Sequence, residues 1–164
     1  MNRVHLLSAL KTFSEDAYKD LILPVKMQKG DAEQKYRAPE THLMRLPEKT
    51  MNTDKAPYVI HQMITGQDRQ SAGQRMEARA VVRSICCVYN DNSEEGSLAL
   101  MTLIERMRIG LLTDPWLDGQ YSLDLDEGLE TLIYPDETDP FFLGELVSTW
   151  VLPRVQREVQ EIWK

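Results

Sequence analysis

The stretch from Met76 to Asp114 constrains this chain more than any other, because it joins one strong strand directly to one strong helix. Along the strand, Ala80, Val82, Ser84, Cys86 and Val88 fall on one face, and Val81, Ile85, Cys87 and Tyr89 on the other, after exposed Arg79 and Arg83. Past Ser84 both faces are apolar, the signature of a central strand covered from both sides. Asn90-Asp91-Asn92-Ser93 then supplies a turn and a helix N-cap. Glu94 and Glu95 follow in the first turn, where carboxylates meet the positive end of the helix dipole. Leu100, Leu103, Ile104, Met107 and Leu111 make a single apolar stripe, and Asp114-Pro115 ends the helix.

Weaker signals fill in the rest. Val4, Leu7, Leu10, Phe13, Ala17 and Leu21 recur at helical spacing up to Pro24. Residues 28–56 are polar and broken by Gly30, Pro39 and Pro47, which reads as an extended arm or loop. Tyr58 to Ile64 is a short strand entered through Ala56-Pro57, and Thr65 to Gln74, with two glycines, is a turn or loop. Tyr121, Leu123 and Leu125 alternate with polar residues as in a half-exposed strand. Leu129 to Tyr134 and Phe141 to Leu152 form a hairpin across residues 135–140. Pro153 suits the first position of a helix, and Val155, Val159 and Ile162 give the tail 153–164 an apolar edge. The expected class is therefore α+β, in one domain. A small antiparallel sheet of about four strands packs against the amphipathic helix, with an N-terminal helix and a short C-terminal helix added.

A chain of 164 residues buries roughly 70% of its unfolded surface, enough for a core without metal or disulfide staples. Its two cysteines, Cys86 and Cys87, are adjacent on a strand and point to opposite faces, so they read as reduced core residues of a cytoplasmic chain. No apolar run approaches the ~20 residues of a membrane span, and Met1 to Leu10 lacks the features of a signal peptide. The net charge of −7 is uneven. From Ile109 to Pro153 there are ten carboxylates and neither Lys nor Arg. Such a surface disfavours unaided binding to phosphate backbones, which need clustered basic groups. It is equally the pattern of a solvated face.

Few residues carry chemistry. His5, His42 and His61 lie in separate segments, with no H-x-x-x-H and no C-x-x-C, so no metal site is expected. Asp124, Asp126 and Gly128 match only a fragment of a calcium loop. Phosphate-cradling glycine motifs are absent, and no cofactor is expected. Cys86 or Cys87 with His61 is the one nucleophile-and-base combination, a small cytoplasmic hydrolase in that reading. Mid-strand thiols are usually buried and inert. Arg75, Arg79 and Arg83 step along one strand face without aromatics, as exposed charge or as partners of neighbouring acids.

The order of segments carries more. A-P-Y-V-I-H-Q-M-I-T-G-Q-D (Ala56 to Asp68), V-V-R-S-I-C-C-V-Y-N-D (Val81 to Asp91) and E-E-G-S-L-A-L-M-T-L-I-E-R-M-R-I-G-L-L (Glu94 to Leu112) come first. Y-S-L-D (Tyr121 to Asp124), L-I-Y-P-D (Leu132 to Asp136) and F-F-L-G-E-L-V-S-T-W-V-L-P (Phe141 to Pro153) follow. From about Ala56 to Glu158 the chain resembles the tail terminator, or tail completion, proteins of long-tailed bacteriophages and prophages; the residues before Ala56 depart from them. The resemblance implies a structural virion protein rather than an enzyme, assembled in the host cytoplasm as a hexameric ring at the head-proximal end of the tail. Its partners would be further copies of itself, the tail tube protein and the head-tail connector. DNA would pass through without specific binding, and no membrane is involved. Asp124, Asp126, Glu127 and Glu130 are then the candidates to line the channel and repel passing DNA. A neck or head-tail adaptor ring stands beside this reading, as does a monomeric regulatory or immunity protein whose acidic face binds a basic partner.

Overall fold

The computed structural model describes residues 2–47, 55–135 and 139–155. In chain order the elements are α1 (Arg3–Tyr18), β1 (Leu23–Pro24), β2 (Tyr36–Arg37), β3 (Glu40–Leu43), β4 (Tyr58–Arg69) and β5 (Glu77–Tyr89). They continue with α2 (Ser93–Thr113), β6 (Trp116–Leu117), β7 (Tyr121–Leu123), β8 (Leu129–Ile133) and β9 (Phe141–Leu152). Seven strands form one sheet in the order β3-β4-β5-β9-β7-β6, and β8 pairs with β9 along the edge that β7 also uses. Only β3 runs parallel to its neighbour. Strands β1 and β2 pair separately.

The class is α+β, but the sheet holds seven strands rather than about four. Strands β3 and β6, four and two residues long, are too short for alternation to reveal, whereas β7 falls where Tyr121 and Leu123 alternate with polar residues. Strand β3 lies within the polar stretch 28–56 and is held by β4, with Thr41 opposite Val59 and Leu43 opposite His61. Strand β4 outlasts its expected end at Ile64. A bulge between Met63 and Thr65 lets it continue to Arg69. Gly66, a turn signal in the sequence, is here a point of close approach. The Arg3 side chain crosses it so tightly that a Cβ would stand 2.6 Å from Nε.

Helix α2 forms as its sequence dictates. The Asn92 side chain accepts from the Glu95 N–H at 3.1 Å, and Leu100, Leu103, Ile104, Met107 and Leu111 are all buried. At Gly96 the helix touches the Phe142 ring of β9, where a Cβ would meet ring carbon Cε2 at 2.2 Å. Helix α1 is rotated from its expected stripe. Val4 is 70% exposed, whereas Leu6, Leu7, Leu10, Ser14 and Tyr18 are buried. Ser14 and Tyr18 enter the core because their hydroxyls find partners there, His61 and Thr41.

Two clusters sandwich β5. The larger lies under the helices and includes Val82, Cys86, Leu103, Ile104, Leu146 and Trp150. The smaller, on the opposite face, gathers Ala56, Tyr58, Ile60, Cys87 and Tyr89. Both cysteines are free and buried, one in each cluster. The hairpin of β8 and β9 pairs from Leu129 opposite Ser148 to Ile133 opposite Gly144. Strand β7 stops at Leu123, so Leu125, expected as its third inward residue, stands 55% exposed in the following turn. The expected helix at 153–164 lies outside the described residues beyond Val155.

Leu103→Ala should lower unfolding free energy by ~2–5 kcal/mol, the usual cost of an unfilled aliphatic cavity. Leu132→Ala, on a half-exposed edge, should cost less than ~1.5 kcal/mol. Urea melts of the two variants check the difference; equal losses would contradict the placement of the core.

Candidate functional site

The acidic block divides into spent and unspent carboxylates. At the end of β7, Asp124 is 8% exposed. Its Oδ1 accepts from the N–H groups of Asp126 at 3.1 Å and Glu127 at 3.3 Å, and its Oδ2 receives the Arg79 guanidinium. The Gly128 N–H closes the turn on the Asp124 carbonyl at 3.0 Å, with Gly128 at φ +75°. Asp124 is therefore the cap of a tight turn and the counter-ion of β5. Of the four candidates Asp124, Asp126, Glu127 and Glu130, it is the one whose carboxylate is buried and already paired. Glu145 on β9 is spent similarly, accepting from the Tyr134 hydroxyl at 3.0 Å with Arg83 Nε at 3.5 Å. Asp118 faces His5 Nε2 at 3.4 Å, and Asp139 accepts from the Ser93 hydroxyl at 2.9 Å.

Asp114 accepts from the Trp116 N–H at 3.3 Å, and Asp136 and Glu137 lie outside the described residues; Asp126, Glu127 and Glu130 remain. All three are exposed, and among the described residues their carboxylates have no partner. The fold brings them together at the start of β8, around the Asp124 turn. Arg79 and Arg83, two of the stepping arginines, are tied to Asp124 and Glu145. Arg69 and Arg75, at the far end of the β4–β5 hairpin, are exposed and have no acidic partner among the described residues. Between these groups Thr65, Gln67, Arg69, Glu77, Arg79, Glu127 and Thr149 line a polar trough of about 400 Å³ carrying both signs of charge.

The cysteine and histidine combination has a different geometry from the one a nucleophile needs. His61 is fully buried, with Nε2 2.8 Å from the Ser14 hydroxyl and Nδ1 2.8 Å from the Ser84 hydroxyl. Loss of solvation pushes its pKa down to about 3, so the ring is neutral. Burial also holds both thiols in the protonated form, Cys87 being pushed up to about 12. None of the three side chains is accessible to a substrate. The Ser14–His61–Ser84 chain pins α1 across β4 and β5. Its only trace in the sequence is that Ser14 and Ser84 stand among apolar neighbours at core spacing.

Among the described residues no three His, Cys, Asp or Glu side chains converge as metal ligands, and no helix is long and apolar enough to cross a membrane. Compared with known proteins, the chain matches no family model and no curated protein.

The neutral His61 makes a signed prediction. Its folded pKa lies below the ordinary 6.5, so the associated stability is complete above pH 6.5 and is lost as pH falls toward about 3. Between about pH 7 and about pH 5 the wild type should lose ~2 kcal/mol through this group. His61→Gln should flatten that part of the profile while lowering stability overall. Urea melts across the range check it, and an unchanged slope in the variant would contradict the burial of a neutral ring.

Proposed function

We propose that this chain is a tail terminator: a structural virion protein whose copies form a six-membered ring on the head-proximal end of a finished phage tail tube. The ring stops addition of further tube subunits and offers its other face to the head-tail connector. The observation that carries this reading is the way the segments resembling tail terminators fall in the fold. They supply the β4–β5 hairpin, α2, β7, β8 and β9, which is five of the seven strands of the sheet, without β3 and β6, together with the helix packed on it. The resemblance therefore follows the long strands of the sheet and the helix that covers them. Such a building block works through surface shape and charge, which agrees with a core that closes over its histidine and its thiols.

The unspent carboxylates have a part in this reading. Asp126, Glu127 and Glu130 form a compact negative patch on a turn fixed by Asp124. Facing the ring channel, they would repel the phosphate backbone of passing DNA and keep it from adhering. Asp126 and Glu127 lie outside any strand, so reversing their charge leaves the sheet untouched.

Phage lacking the chain should produce tails of uncontrolled length that fail to join heads, seen by electron microscopy; normal tails would contradict the assignment. A tag on the chain at the head-proximal tail tip separates a terminator from a neck adaptor built into the head. Asp126→Lys with Glu127→Lys should leave tails joined to heads and slow DNA delivery. Delivery at the wild-type rate would remove the channel role from these two residues.

A further inference from the structure

Two of the strand edges left unpaired among the described residues differ in charge. Strand β8 pairs with β9 on one side and with nothing on the other among the described residues. The Tyr134 N–H donates to the Leu143 carbonyl at 3.0 Å, which makes Tyr134 a hydrogen-bonded position of this antiparallel pair. Bonded positions alternate, so Leu132 and Glu130 also turn their backbone groups to β9, while Leu129, Thr131 and Ile133 turn theirs outward. Leu132 is 48% exposed on one face of the strand and Ile133 41% on the other. Apart from Glu130 the strand has no charged residue, and it has no Pro and no bulge, devices that keep an edge from pairing with another chain.

The second edge is the outer half of β4. Strand β3 covers β4 as far as His61, and from Ile64 to Arg69 the strand pairs only with β5 among the described residues. All six residues are exposed. Arg3 reaches over Gly66 and pairs with Asp68 at 2.9 Å, which holds this half extended.

We infer that the open half of β4 in one copy pairs with β8 of the next, so that neighbouring copies share a continuous sheet. The inference rests on the reading of the chain as a self-assembling ring. Three features favour this partner. Strand direction alternates from β4 through β5 and β9 to β8, so a following β4 continues the antiparallel order and keeps the helices on the same side. That polarity sets the acidic start of β8 beside the basic end of β4. Glu130 and Arg69 both lie on the helix-free face, opposite Val147 and Glu77 respectively, and Arg75 follows in the hairpin loop. Finally, the contact is head-to-tail, the type that closes rings rather than stopping at a pair.

The register has a consequence for the assembly. With Glu130 opposite Arg69, Thr131 falls opposite Asp68; Asp68 lies across Ala78 from Leu152, whereas Thr131 lies beside Leu146. Successive copies are therefore offset by six residues, ~20 Å along the strands. A ring closes with such a stagger only if its strands tilt from the ring axis.

Sedimentation of the purified full chain, alone and with isolated tail tubes, tests the pairing. Glu130→Lys or Arg69→Glu alone should weaken self-association ~10-fold or more through like-charge contact, and the two reversals in one chain should restore it. Thr131→Pro, which removes only an outward N–H, should abolish association and leave the folded monomer's circular dichroism unchanged. Rings that form regardless of all these substitutions would overturn the edge pairing and leave the ring reading standing. A wild-type chain that is monomeric both alone and on tube ends would overturn both.

Discussion

Everything in this molecule depends on the burial of β5. It is hydrogen-bonded along its length by β4 and β9, its inner face lies under α2, and its last residues are covered on the outer face as well. A strand satisfied at both edges and hidden on both faces has nowhere else to go, since each backbone group left unpaired in such a place costs ~1–3 kcal/mol. Helix α2 follows from it directly, starting four residues after the strand ends and laying its leucine stripe back across the same sheet. Helix α1 is then fixed by a smaller contact, the buried serine-histidine-serine chain, with Tyr18 on Thr41 beside it.

What could be read in the sequence follows the range of the forces. The cap at Asn92, the stripe of α2 and its stop at Asp114 are set by residues within a few positions of one another, and they fall where the sequence puts them. The long strands β5 and β9 are equally legible by alternation, whereas the outer half of β4 is hidden by its bulge and by Gly66. Strands β3 and β6 exist only because a partner strand completes them, and no local pattern announces them. The rotation of α1 has the same origin. Val4 fits an apolar stripe, but Ser14 and Tyr18 displace it because His61 and Thr41, far away in sequence, satisfy their hydroxyls.

The acidic block taught a finer lesson. Counting carboxylates identified the surface but could not sort it, because pairing with Arg79 and Arg83 depends on strand register. Asp124 and Glu145 hold the sheet together, and Asp126, Glu127 and Glu130 are left to meet something outside the protomer. The position of Asp124 four residues before Gly128 was the available sign that it shapes a turn. Glu127 shares a trough with Arg69, but Glu130 on β8 and Arg69 on β4 stand on different edge strands of the sheet, so one protomer carries complementary charges at two edges. That distribution suits a subunit whose counterpart is another copy of itself.

The central claim is that this polypeptide acts as a shaped part in a ring. Negative-stain imaging of the purified chain mixed with isolated tail tubes tests it most directly. The account predicts a six-fold ring seated on one end of each tube, after which the tube no longer lengthens when tube subunits are added. Tubes that keep growing with bare ends, while the chain stays in solution as a monomer, would contradict it.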